Sequence, residues 1–138
     1  MLDLVLEARM GHSYRDLLVW RKSKELAIIA YRATERFPKS ESFGLTGQIR
    51  RAAVSIASNI AEGQGWATKG EFHQFLGYAR GSLLELTTQV EIASELGYIE
   101  SAQSTALQKH ASEVLALLNG LMASIRPKAH AAAADPAT

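Results

Sequence analysis

The stretch between positions 72 and 93 constrains this chain more than any other. Phe72, Leu76, Ala79, Leu83, Leu86, Val90 and Ala93 step by 4, 3, 4, 3, 4 and 3, the spacing that keeps one apolar seam along one side of a bundled helix. A later stretch repeats it: Leu107, Ala111, Val114, Leu118, Leu121 and Ile125 step by 4, 3, 4, 3 and 4. A strand cannot satisfy either seam, because its side chains alternate every second residue. Prolines stand only at 38, 127 and 136, so none interrupts a helix between the first two.

Four helices follow from this punctuation. The first is expected from about Arg15 or Asp16 to Phe37, with Asp16 near its start and Pro38 forcing the preceding residue out of helical geometry. The second is expected from about Phe43 to Glu62, with Ser42 or Thr46 as cap and Gly63 as stop. The third runs from about Thr68 to Leu96, closed by Gly97, and the fourth from about Ser101 to Arg126, stopped by Pro127. Connections this short place successive helices side by side in opposite directions, so the expected fold is all-α, an antiparallel up-down-up-down four-helix bundle. Residues 1–13 read as an N-terminal extension, 14–126 as the bundle, and 127–138 as a disordered tail without amphipathic period.

Composition narrows the function classes. The chain has 138 residues, no cysteine, 47% hydrophobic and 21% charged residues, values of one ordinary globular domain. Without cysteine there is no disulfide, no thiol nucleophile and no Cys-based metal site. No apolar run approaches the ~20 residues of a membrane-spanning helix, and MLDLVLEAR lacks the basic start of a secretory signal. A cytoplasmic protein with no membrane association is the expectation.

The first helix is too apolar for a single core. It reads Leu17, Leu18, Val19, Trp20 and then Leu26, Ala27, Ile28, Ile29, Ala30, Tyr31. Successive residues turn by ~100°, so these runs encircle the helix. Either further copies of the chain cover the surplus, making a homo-oligomer, or residues such as Trp20 and Tyr31 are simply amphipathic surface side chains.

Polar residues also form a line. Arg51, Ser55, Asn59 and Glu62 step by 4, 4 and 3 on the second helix, and Arg80 and Glu85 on the third are placed to meet them. These six side chains are either a structural hydrogen-bonded network fixing helix register or an interface, or the lining of a binding groove. Ala52, Ala53, Ala57 and Ala61 let a neighbouring helix approach. No enzyme is expected: neither Ser55 nor Ser58 has a histidine at helical spacing. His73 and His110 lack the Glu-x-x-His pattern of di-iron bundles, and GQGWATKG lacks the spacing of a phosphate-binding loop. His110 and Glu113 form one reversed pair, read as a solvated helix face. No metal, cofactor or catalytic residue is expected.

Charge is uneven. From Met10 to Gly63 nine basic residues face five acidic ones, and from Gln64 to Arg126 four face six. Arg21, Lys22, Arg50 and Arg51 are candidate phosphate contacts for RNA or DNA; the competing reading is an ordinary solvated face.

The segments YRDLLVWRKSKELA, RFPKSESFGLTGQIRRAAVSIASNIAEG, EFHQFLGYARGSLLEL and SELGYI closely resemble the four-helix-bundle family of 23S ribosomal RNA intervening-sequence proteins, from about Tyr14 to Arg126. The resemblance implies a four-helix protomer assembling as a homopentamer. Some members of the family are encoded within ribosomal RNA genes. Others resemble the accessory variability protein of diversity-generating retroelements, a basic pentameric barrel that binds nucleic acid and a reverse transcriptase. The matching signature positions are Arg50, Arg51, Ser55, Asn59, Glu62 and Gly63, with Arg80, Gly81 and Glu85. Ala57 stands where relatives commonly have proline, which relaxes a kink in the second helix. Gln64, Trp66, Ala67 and Thr68 stand where many carry basic residues, leaving only Lys69. The implied role is a non-enzymatic oligomeric scaffold or adaptor that binds RNA or DNA. The alternative is a protein–protein interaction module without nucleic-acid binding.

Overall fold

The computed structural model describes residues 13–65 and 68–126. Among them are four α-helices and no strand: α1 Leu18–Ala33, α2 Leu45–Gln64, α3 Lys69–Glu95 and α4 Ser101–Ser124. The expected extension up to His12, the tail 127–138, and Trp66 and Ala67 lie outside the described residues.

The two seams form the core. Phe72, Leu76, Ala79, Leu83, Leu86, Val90 and Ala93 of α3 are all buried, as are Leu107, Ala111, Val114 and Leu118 of α4, with Ile125 just beyond its end. Leu121, the remaining member, is half-buried against that core. Leu26 and Ala30 of α1 and Ile49, Ala53, Ile56 and Ile60 of α2 close the core from the other side. Each large aliphatic or aromatic side chain buried there contributes about 1.5–3 kcal/mol. The most extensive helix–helix contact is between α2 and α3, with smaller ones linking α1 to α2, α3 to α4 and α1 to α4.

Helix ends depart from the sequence reading in informative ways. A 3₁₀ turn, Tyr14–Asp16, precedes α1 and is capped by Ser13, whose hydroxyl accepts from the Arg15 amide. The N-cap of α1 is Leu17, without a side-chain cap, rather than Asp16. At its far end α1 stops at Ala33, well before Pro38. The Thr34 hydroxyl bonds back to the carbonyls of Ala30 and Tyr31, both at 3.0 Å, and the chain then turns Phe37 inward against Tyr98, with ring centroids 5.6 Å apart.

Helix α2 runs without a break through Ala57, consistent with the missing proline, and continues past Gly63 to Gln64. Gly63 is therefore a packing residue and not a stop. A Cβ there would lie 2.6 Å from Phe75 Cβ and 3.1 Å from Phe72 Cδ1, so only glycine lets α3 come this close. Thr68 caps α3: its hydroxyl accepts from the Glu71 amide at 3.1 Å and donates to the Glu71 carboxylate at 2.6 Å. Gly97, at φ +80°, closes α3 as expected.

Candidate nucleic-acid interface

The four candidate phosphate contacts do not form one cluster. Arg21 and Lys22 sit in the first turn of α1. Arg50 and Arg51 sit in the first two turns of α2. Arg50 reaches back to the opposite end of α1, where Nε donates to Thr34 Oγ1 at 2.9 Å and an Nη donates to the Tyr31 carbonyl at 3.2 Å. Its guanidinium also lies over the Tyr31 ring, 4.5 Å from the centroid. Tyr31 is ten residues beyond Arg21, about 15 Å along a helix rising ~1.5 Å per residue.

Arg50 is thus held by α1, adding a charged donor to a Tyr31 carbonyl that already accepts from the Thr34 hydroxyl. Arg21 donates to the Arg15 carbonyl at 3.1 Å and remains exposed. Lys22 lies 3.9 Å from Glu25, one turn on, an exposed pairing that contributes little. Arg51 is exposed, and among the described residues its side chain has no hydrogen-bond or ion-pair partner. It borders two grooves. One, about 590 Å³, lies between α1 and α2 and includes Tyr31, Gly47 and Val54. The other, about 460 Å³, lies between α2 and α3 and includes Ser82, Glu85 and Gln89.

The polar line is joined only in its middle. Asn59 Nδ2 donates to the Ser55 carbonyl at 2.8 Å and to Ser55 Oγ at 2.9 Å, and the Ser55 and Ser82 hydroxyls meet at 2.9 Å. With Asn59 donating into Ser55 Oγ, the Ser55 proton is free to reach Ser82. This chain ties α2 to α3. The side chains of Glu62, Arg80 and Glu85, with that of Arg51, are exposed and make no such contact among the described residues. Ser82, which the sequence reading omitted, is its buried member.

Two further contacts had no local signal. His110 does not pair with Glu113. It faces α1, with Nε2 3.3 Å from the Lys22 carbonyl and 3.9 Å from the Glu25 carboxylate. Tyr98 donates to Glu41 at 3.2 Å; burial first, then that hydrogen bond and the Glu41 charge, raise its phenol above the usual tyrosine value. No group of three or more His, Asp or Glu residues that could hold a metal ion occurs among the described residues. No helix of the described residues is long and apolar enough to cross a membrane.

The surplus apolar surface of α1 is real: Leu18 (48%), Ile28 (45%) and Tyr31 (42%) are exposed. Helix α3 adds Tyr78, Leu84 and Ile92, apolar residues outside its seam that the sequence reading did not single out, and Leu96 follows at its C-cap. Phe43, in the connection between α1 and α2, is 97% exposed.

Four packed helices among the described residues define a helical-bundle protein, with an exposed cation bordering two grooves and apolar side chains exposed on α1 and α3. The chain belongs to the family of 23S rRNA-intervening sequence proteins, whose model matches residues 15–120. A solved structure from Bacteroides thetaiotaomicron, described as a protein of unknown function from the S23 ribosomal protein family, is similar in fold. It has a TM-score of 0.72 and 23% identity, over 77% of this chain and 96% of that one. No curated protein matches.

Proposed function

We propose that this protein is a non-enzymatic scaffold of antiparallel up-down-up-down bundles that assembles with copies of itself, in the homopentamer that the family resemblance implies, and holds RNA or DNA weakly through repeated cations. The observation carrying the reading is the pairing of half-exposed apolar side chains, Leu18, Ile28 and Tyr31, with exposed cations on the same helix. Apolar surface of this kind favours a protein partner, and repetition of Arg21, Lys22 and Arg51 around an assembly multiplies a field that one protomer of net charge +1 lacks. The antiparallel arrangement is supported by Arg50, near the start of α2, reaching the end of α1, and by the end of α1 (Arg32, Ala33) sharing a groove with Ala102 and Gln103 while Lys22, nearer its start, faces His110 further along α4.

Two measurements test it. Sedimentation of the purified chain at micromolar concentration gives a mass well above one protomer; a stable monomer ends the assembly reading. Titration of labelled RNA and duplex DNA from low to high salt gives affinity that falls with salt, at a slope of about −0.9 per neutralised phosphate on duplex DNA. No detectable affinity at low salt ends the nucleic-acid reading.

The engagement of Arg50 with Thr34 and Tyr31 favours a second reading, a protein–protein adaptor, since it removes one of four candidate phosphate contacts. A protein partner, a reverse transcriptase among those the resemblance implies, would then be recovered after nuclease treatment, and charge reversal at Arg51 would leave that complex intact.

A further inference from the structure

Exposed apolar side chains stand on α1 and on α3, apart from Phe43 and Val54, and the charges nearest them are mainly basic on α1 and mainly acidic on α3. On α1, Lys24, Ile28, Tyr31 and Arg32 follow the i, i+4, i+7, i+8 spacing of one helix face, and all four are exposed. Glu35, beyond the helix end, is the acidic residue nearest in sequence on that side, because Glu25 is turned toward Lys22 and His110. On α3, Leu84, Thr88, Glu91, Ile92 and Glu95 share an outward face by the same spacing and are likewise exposed. Glu91 and Glu95 also line a groove of about 390 Å³ between α3 and α4, completed by Ser94, Ser104, Thr105 and Gln108. Two carboxylates, three hydroxyls and an amide suit a lysine or arginine side chain entering from outside.

We infer that the Lys24–Ile28–Tyr31–Arg32 face of one copy docks on the Leu84–Ile92 face of α3 in the next copy, with Lys24 and Arg32 directed at Glu91 and Glu95. Complementary charge selects this occupant. A copy turned so that like faces met would oppose cation to cation on α1 and carboxylate to carboxylate on α3, which is unfavourable. The contact is therefore heterologous, one face of a protomer on a different face of its neighbour, and such contacts close into rings or run into filaments. Lys22 lies outside the docking face and stays available to phosphates, whereas Arg21, three residues before Lys24 and seven before Ile28, continues that face toward the start of α1. This inference rests on the self-assembly proposed above and adds which faces carry it.

The test uses two full-length variants and their mixture. Ile28→Asp breaks only the α1 face, and Leu84→Asp with Ile92→Asp breaks only the α3 face. Far-ultraviolet circular dichroism checks that each stays helical. Wild-type chain assembles. Each variant alone sediments at the 15.0 kDa of one chain, and an equimolar mixture gives a one-to-one complex of twice that mass that grows no further, because each contributes its intact face. The charge reversals Lys24→Glu with Arg32→Glu, at exposed positions, weaken wild-type assembly at least tenfold and less so at high salt. An assembling wild type whose mixed variants stay monomeric, or whose variants assemble unchanged, overturns the docking faces while leaving self-assembly standing. A monomeric wild type overturns both.

Discussion

The Arg50 Nε donates to the Thr34 hydroxyl at 2.9 Å across sixteen residues of sequence. That bond, with the Tyr31 carbonyl and ring, turns a candidate phosphate contact into the clasp between the end of α1 and the start of α2. Replacing Arg50 with Ala is expected to lower stability by roughly 1–3 kcal/mol through lost charge-assisted hydrogen bonds and ring contact. Arg51→Ala, at an exposed and unpartnered site, should change it by no more than about 0.5 kcal/mol. Urea unfolding of both variants checks the contrast, and equal effects would refute the clasp.

Gly63→Ala should destabilise the chain, although alanine is the better helix former. The new Cβ would meet Phe75 Cβ at 2.6 Å, and overpacking of this kind costs about 1–3 kcal/mol, more than the ~1 kcal/mol gained in helix propensity. A rise in melting temperature would show that α3 yields easily there.

The Asn59–Ser55–Ser82 chain makes a coupling prediction. Ser55→Ala and Ser82→Ala should each lose on the order of 1 kcal/mol. The double variant should lose less than the sum by about 0.5 kcal/mol or more, because the two hydroxyls spend part of their energy on one another. Strict additivity in a double-mutant cycle would mean they act separately.

Alkaline stability should depend on Tyr98. Its phenol is raised from the usual value of 10.0 by burial and by Glu41, so the folded state holds that proton more tightly than the unfolded chain does. The stabilisation is fully present below the unfolded value and is lost as pH climbs through the folded one. Melting curves from neutral pH to beyond the ordinary tyrosine range should fall more steeply for wild type than for Tyr98→Phe. Parallel curves would remove Tyr98 from the alkaline transition.

Local sequence determined which faces are buried. The stepping of α3 and α4 marks their core residues because burial repeats with the helix period, and a run of ten or more residues records that period wherever its neighbours lie. The surplus on α1 was legible for the same reason, since a helix apolar on all sides must expose part of it. Tertiary structure decided whatever depends on residues distant in sequence. Asp16 and Pro38 carry ordinary end signals, yet α1 begins at Leu18 and ends where Thr34 meets Arg50. Gly63 reads as a stop, yet it is kept small by Phe72 and Phe75. His110 reads beside Glu113, yet it faces Lys22 and Glu25. Periodicity is a property of one helix, whereas a side chain's partner belongs to another, and only packing brings the two together.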